Sequence, residues 1–289
     1  MNEVHRAGAF YNPFLRLVIP ECSEAEMDNL KVKYLHPYII KYLCPMNQKT
    51  NKTVLILGAN SDVAKQCIIQ YLERGFSVMA ASRNTVSLEQ FIEENHLDAS
   101  KITVLHFNAE DFDSHQKFYD ELPVKPHIVL YAAGFLVDNE KALKDFNGTK
   151  QMMLVNYMGA VSILNIIAMD ESNTNLERII GLSSLSGVRG RKSNFIYGST
   201  KAAFTQYLAG LRQELSSRKI IVNALVIGYI RTKINKGLQL NESLIMEPDY
   251  VAKFIVNAGN SFIIVPNFKW KMIYYILRIL PESLVAKLP

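Results

Sequence analysis

Residues 53–64 read TVLILGANSDVA: the apolar run Thr53–Leu57 stops at Gly58, and a helical pattern follows through about Arg74. A buried run that ends on glycine and passes into a helix is a strand–turn–helix unit. Such a turn aims free backbone N–H groups and the positive helix end at a phosphate. Glycine permits the tight turn and the close approach. The candidate phosphate contacts are Gly58, Asn60, Ser61, Asp62 and Val63. One glycine survives here, with Asp62 and Ala64 where further glycines are expected. Taken alone, the stretch fits an ordinary βα turn as well as a nucleotide cradle.

Outward from this turn the pattern repeats. Further apolar runs fall at 76–81, 102–107, 127–131, 178–182, 220–227 and 262–265, with helix-length segments between most of them, notably 149–169 and 195–217. Continuous β-branched and aliphatic runs alternating with helices predict a sheet covered on both faces. The expected fold is α/β: a doubly wound, Rossmann-like, parallel seven-stranded sheet with helices on both faces. The reading divides the chain into three parts. Residues 1–45, rich in Tyr and Pro, are an extension of unknown role, expected to add no chemistry. Residues 46–265 form the Rossmann-like domain, and 266–289 an apolar, basic helical tail.

Composition bounds the function. The chain has 289 residues, 49% hydrophobic and 20% charged, which excludes a disordered protein. The net charge of +5 is concentrated: residues 253–289 hold five bases (Lys253, Lys269, Lys271, Arg278, Lys287) against Glu282 alone. An overall excess this modest does not indicate nucleic-acid binding, and its place in an apolar tail suits a membrane surface or an anionic lipid substrate. Three widely spaced cysteines (Cys22, Cys44, Cys67) form no CxxC, which excludes a disulfide scaffold and suits a reducing, cytoplasmic setting. Six scattered histidines lack ligand spacing, so no metal is expected. No uninterrupted apolar run reaches 18 residues, and no spanning helix is predicted.

The end of the second strand selects the dinucleotide. An acid there would accept from a ribose 2′-hydroxyl. Ser82 and Arg83 stand there instead, and a guanidinium pairs well with a 2′-phosphate. NADP(H) is favoured, with NAD(H) as the alternative; Arg83 otherwise stays solvated or stacks on adenine. Asn108 is placed to bond the adenine edge, and Ala132-Ala133-Gly134 to let the backbone pass close to the cofactor.

Tyr197 and Lys201 lie four apart on a predicted helix, hence on one face. A nearby ammonium is expected to lower the phenol's pKa, so that the pair can pass a proton to a carbonyl oxygen as hydride arrives at carbon. Ser184, 13 residues upstream and expected just beyond strand five, is placed to bind the same oxygen. The spacing is not unique: Ser216, Tyr229 and Lys233 repeat it. Only the first set sits where a strand ends and a helix begins, at the carboxyl edge of the sheet. Tyr229 reads as structural or substrate-facing.

Taken in order, Gly58-Ala59, Ala132-Ala133-Gly134, Asn156, Ser184 and Tyr197/Lys201 resemble the short-chain dehydrogenase/reductases over roughly residues 50–265. The resemblance implies an NAD(P)-dependent oxidoreductase with an Asn–Ser–Tyr–Lys tetrad. Tyr197 would be the proton donor, Ser184 would orient the carbonyl, and Lys201 would hold the nicotinamide ribose. Asn156 would support a helix and a water relay to Lys201. Residues 226–232 are similar to the family's Pro-Gly motif, with Ile227 in place of proline. That similarity gives Gly228, Ile230 and Thr232 to the cofactor. The family's frequent pairing of the helices at 149–169 and 195–217 implies a homo-oligomer.

Residues 183–201 (SSLSGVRGRKSNFIYGSTK), Ser61-Asp62 and Leu280-Pro281-Glu282 resemble, more narrowly, the reductases of decaprenylphosphoryl-2-keto-erythro-pentose. That resemblance implies a lipid-linked carbonyl substrate and a separate flavin-dependent oxidase as partner. Arg189, Arg191 and Lys192 would then hold a substrate phosphate, or else form a solvated loop or subunit contact. Residues 233–248 read as a mobile lid. The tail reads either as an interfacial helix on the inner face of a membrane or as a helix packed on the domain or a partner. The alternative functions are a reductase of another hydrophobic carbonyl (steroid, fatty acyl or quinone) and a non-catalytic dinucleotide sensor.

Overall fold

Alternation along the first strand builds two apolar layers. In the computed structural model, which describes residues 52–232 and 241–288, β1 (Thr53–Leu57) is buried at every position. Its side chains point alternately to opposite faces. Val54 and Ile56 enter one core with Ile68, Tyr71, Leu88 and Leu225. Leu55 and Leu57 enter the other with Val129, Ile163, Phe204 and Leu208. A strand buried on both faces explains why the sequence shows a continuous apolar run there.

The described elements follow in α/β order. After β1 come α1 (Asp62–Glu73), β2 (Ser77–Ser82), α2 (Thr85–Glu94), β3 (Ile102–His106), α3 (His115–Asp120), β4 (Ile128–Tyr131) and α4 (Asn139–Lys144). Then come α5 (Phe146–Met169), β5 (Arg178–Ser184), α6 (Phe195–Glu214), β6 (Ile221–Ile227), α7 (Pro248–Val256) and β7 (Ile263–Ile264). The tail forms α8 (Phe268–Ile279) and α9 (Glu282–Val285). The seven strands are parallel, in the order β3-β2-β1-β4-β5-β6-β7. The chain winds one way from β1 and the other way from β4, which opens a crevice at the carboxyl ends of these two strands.

Two expectations change, and the tail takes one of its two expected places. Ser184 is the last residue of β5, because the ladder with β6 continues through Ser183↔Val226 and Ser184↔Ile227. The helix expected at 149–169 starts earlier and contains a π-helical turn, Leu154–Met158, which carries Asn156. At 24 residues and a mean hydropathy of 1.7 in its most apolar window, α5 has the length and composition of a membrane span. Half of that window is buried inside the domain, where Ile163, Leu164 and Ile167 pack in the core. Finally, the tail belongs to the same compact unit as the sheet, Gln48–Pro289. Trp270, Tyr274 and Leu277 of α8 are buried in the first core layer.

The expectations for residues 1–45, and the lid residues 233–240, lie outside the described residues. The described part of the lid is anchored. Arg231 pairs with Glu242 and Glu247, both at 2.8 Å, and Met246 N–H donates to the Tyr229 carbonyl at 3.0 Å.

Candidate active site

A cavity of about 770 Å³ opens at the carboxyl ends of the central strands. The structure brings every sequence-predicted catalytic and cofactor residue to its lining except Asn156, and of the basic loop it brings Arg191 alone.

At the turn after β1, Gly58 has φ +89°. A Cβ there would lie 2.3 Å from the Ala133 nitrogen, so only glycine fits. The turn is tied to β2 by the Gly58 and Ala59 N–H groups, which donate to the Ala81 carbonyl at 2.9 and 3.0 Å. Ser61 caps α1 by accepting from Ala64 N–H at 3.1 Å. Asn60 donates to Ser82 Oγ (2.7 Å) and to the Asn84 carbonyl (2.6 Å). Its own Oδ1 is buried without a partner among the described residues. A glycine-shaped cradle, a helix N-terminus and a spare buried acceptor suit a dinucleotide at this edge. Arg83 is half-exposed and pairs with Glu110 at 3.0 Å. Asn108 accepts the Glu110 N–H on Oδ1.

The second half of the cavity carries the proton chemistry. Lys201 is buried and donates to the Leu182 carbonyl at 2.9 Å. Its ammonium lies 5.9 Å from the centre of the Tyr197 ring. Ser184 accepts from Ser186 N–H at 3.2 Å, which fixes its hydroxyl beside Tyr197. The expected lowering of the Tyr197 pKa is reversed. Burial disfavours the phenolate and pushes it up to about 12, while a hydrogen bond with Ser184 works the other way. Burial likewise lowers Lys201 to about 8. In this arrangement desolvation outweighs the hydrogen bond with Ser184.

Asn156 stands behind the lining. Its Oδ1 accepts from Phe135 N–H (2.7 Å), and its Nδ2 donates to the Phe135 carbonyl (2.8 Å) and to Thr200 Oγ1 (3.1 Å). Thr200 Oγ1 in turn donates to the Tyr197 carbonyl at 2.8 Å. Asn156 therefore fastens the loop after β4 to the helix that carries Tyr197 and Lys201. The π turn re-aims it to do so, a frequent use of such turns.

The basic loop divides. Arg189 does not face a substrate: its guanidinium donates to the Leu277, Arg278 and Leu280 carbonyls at 2.9–3.3 Å. These are the otherwise unpaired carbonyls at the end of α8, where a cation also meets the negative helix end. Arg191 lines the cavity, and its buried Nε has no partner among the described residues. Lys192 is exposed.

The family profile for short chain dehydrogenases matches residues 52–243, two-thirds of the chain. The chain is a short-chain dehydrogenase/reductase. As such it is an NAD(P)-dependent oxidoreductase. An uncharacterized oxidoreductase of Mycobacterium tuberculosis (strain H37Rv) is 24% identical over 82% of this chain and 96% of its own length. Another, from Staphylococcus aureus (strain USA300), is 24% identical over 74% of this chain and 93% of its own. Among solved structures, a short-chain dehydrogenase from Burkholderia cenocepacia in complex with NADP superposes with a TM-score of 0.68 at 17% identity. It covers 82% of this chain and 97% of that one.

This short-chain dehydrogenase/reductase also has site residues that motif reading missed. Trp270, Ile273 and Leu277 of α8 line the cavity. Trp270 Nε1 donates to the Leu244 carbonyl at 2.8 Å, and its ring meets Tyr229 edge-on at 5.3 Å. A Cβ on Gly228 would sit 2.1 Å from the same indole, so Gly228 is needed for Trp270 as much as for any ligand. The available signal was the chain's single tryptophan in a tail apolar on more than one face. Asn139 was also missed: it holds the loop by donating to the Lys192 carbonyl (3.2 Å) and accepting from Ile196 N–H (3.3 Å). Of the rival spacing set, Tyr229 reaches the cavity, whereas Ser216 lies beyond the end of α6 and bonds Gln213.

The depressed Lys201 pKa has a consequence for stability. The folded value, about 8, is below the 10.5 of the free group, so folding disfavours the charged form. That cost is full below pH 8 and is relieved as pH rises towards 10.5. Its full size is about 3 kcal/mol. Comparing wild type with Lys201→Met, the difference in melting temperature should therefore move in favour of wild type between pH 8 and 10.5, by roughly 10 °C. A pH-independent difference in calorimetry would contradict the assignment.

Proposed function

We propose that this enzyme uses NADPH to reduce the carbonyl of an amphiphilic substrate that carries an anionic group. The observation that carries this reading is the composition of one cavity: Ser184 and Tyr197 share it with Arg191, whose buried Nε has no partner among the described residues, and with the apolar residues Trp270, Ile273 and Leu277. When bound, the dinucleotide supplies the hydride. Gly58–Val63 and the start of α1 would hold its phosphates, and Lys201 its nicotinamide ribose. Tyr197, protonated far above neutral pH, gives its proton to the carbonyl oxygen. Ser184 donates to the same oxygen and orients it. A phenol that keeps its proton supports the reductive direction.

NADPH over NADH is supported by Arg83 at the end of β2, where no acid stands. The NADP in the Burkholderia relative is consistent with it. Glu110 holds Arg83 by one nitrogen and leaves its other donors for a 2′-phosphate. Within the substrate class, a keto-pentose on a polyprenyl phosphate has the three required parts: carbonyl, phosphate and apolar chain. The resemblance over residues 183–201 favours it. The test is dinucleotide oxidation against that compound and against neutral steroid, fatty-acyl and quinone carbonyls. NADPH should outperform NADH, and the anionic substrate the neutral ones. Arg191→Ala should raise KM for the anionic substrate by about 10- to 100-fold, the worth of a charged hydrogen bond, and leave the neutral ones unchanged. Equal KM values before and after the substitution would remove the anionic group from the proposal.

A further inference from the structure

Helix α8 is apolar on two sides. Trp270, Ile273, Tyr274 and Leu277 face the domain, and three of these line the cavity. Phe268, Met272, Tyr275, Ile276 and Ile279 face outward, with Phe268 73% and Ile279 80% exposed. Their spacing, i, i+4, i+7, i+8 and i+11, is one continuous stripe along the helix. Leu284 of α9 adds a further exposed apolar side chain. Lys269 lies on one flank of the stripe and Lys271 and Arg278 on the other, at 100° per residue. The helix has no acid, and the following Glu282 is drawn towards Arg189 at 3.8 Å.

We infer that α8 docks the enzyme on an anionic lipid surface, lying in the interface plane with its outer stripe among the acyl chains. A stripe of large apolar side chains bordered by cations is what such a surface selects. The border also argues against a second copy of this chain, since two faces carrying three cations each would meet like charge to like charge. Each cation near an anionic membrane contributes about fivefold in affinity, about a hundredfold for three. The helix that touches the lipid is also a wall of the cavity, so a substrate with an apolar chain passes from bilayer to Tyr197 past one helix. This route rests on the amphiphilic-substrate reading; the docking itself does not.

The test is co-sedimentation of the full chain with phosphatidylcholine vesicles, with and without phosphatidylglycerol. Binding is expected only with phosphatidylglycerol, weakening steeply with salt. Ile276→Glu with Ile279→Glu should reduce binding at least about tenfold, and so should Lys269→Glu with Lys271→Glu. NADPH binding and melting temperature, read in parallel, should stay unchanged, because these side chains neither line the cavity nor enter the core. Equal binding to neutral vesicles would overturn the proposal, as would variants that bind like wild type. A wild type that ignores both vesicles, while the Ile276→Glu/Ile279→Glu chain drops from dimer to monomer, would assign the stripe to self-association. Turnover of a water-soluble carbonyl is measured separately, so a failure to bind lipid and a failure to reduce carbonyls are told apart.

Discussion

Replacing Tyr197 with phenylalanine should lower kcat for NADPH-dependent reduction by about 10³-fold, within the span general acid catalysis usually contributes. The ring itself is not what matters. Phenylalanine keeps the apolar contact and leaves the Lys201–Leu182 hydrogen bond untouched. What disappears is the O–H beside Ser184. Ser184 is no substitute donor of a full proton, because a serine alkoxide is far too basic to form there. NADPH affinity should therefore remain within a few-fold of wild type, and the loss should appear in kcat. The pH profile adds a second readout. Lys201 loses its charge near pH 8, while Tyr197 holds its proton to about 12. The wild-type reductive rate should accordingly bend once, on the alkaline side of neutrality, through Lys201. Single-turnover fluorescence of NADPH measures both quantities. Turnover of the variant within tenfold of wild type would mean that another group delivers the proton.

The second large effect is at Gly58. Substituting alanine places a Cβ 2.3 Å from the Ala133 nitrogen and 2.5 Å from its Cα, at a φ of +89°. The obstacle is backbone of the neighbouring segment, and no side-chain rotation relieves it. Strain at a positive φ costs about 1–3 kcal/mol by itself, and displacing a packed strand end adds a similar amount. The melting temperature should fall by roughly 10 °C or more, and NADPH binding should be lost in the fraction that folds. Adding Ala133→Gly should not rescue the variant, since the collision is with main-chain atoms. Rescue by that second change would place the obstruction in the methyl group instead. Differential scanning fluorimetry with and without NADPH reads both effects.

The strands were legible because burial on both faces leaves no polar positions; β1 and β4 show this fully. β3 and β7 lie at the sheet edges and are less buried, so their pattern is weaker. Tyr197 and Lys201 were legible through spacing along one helix, and Ser184 through its place at a strand end, which set it apart from the rival spacing at Ser216. Asn156 could be placed only by resemblance, because its partners, Phe135 and Thr200, are distant in sequence. The tail's share of the cavity was hidden for a similar reason. Nothing local in residues 266–280 indicates that Trp270 packs over Gly228, 42 residues away. The ionisation of Tyr197 was misjudged because sequence shows the neighbouring ammonium but not the depth of burial. The place of Arg189 stayed open in the sequence because its partners are backbone carbonyls, which carry no sequence signature.

The cavity lining runs from Gly58 to Leu277 in chain order. Its last wall is therefore made after every other part of the lining. While β1 to β6 emerge, the crevice over Gly228 has no indole to close it, and Arg189 has no helix end to hold. A nascent chain of this enzyme can shape its dinucleotide turn early, but its substrate chamber is finished only once α8 has been made. Until then the reactive end of the pocket is open, and the helix that closes it also carries Lys269, Lys271 and Arg278.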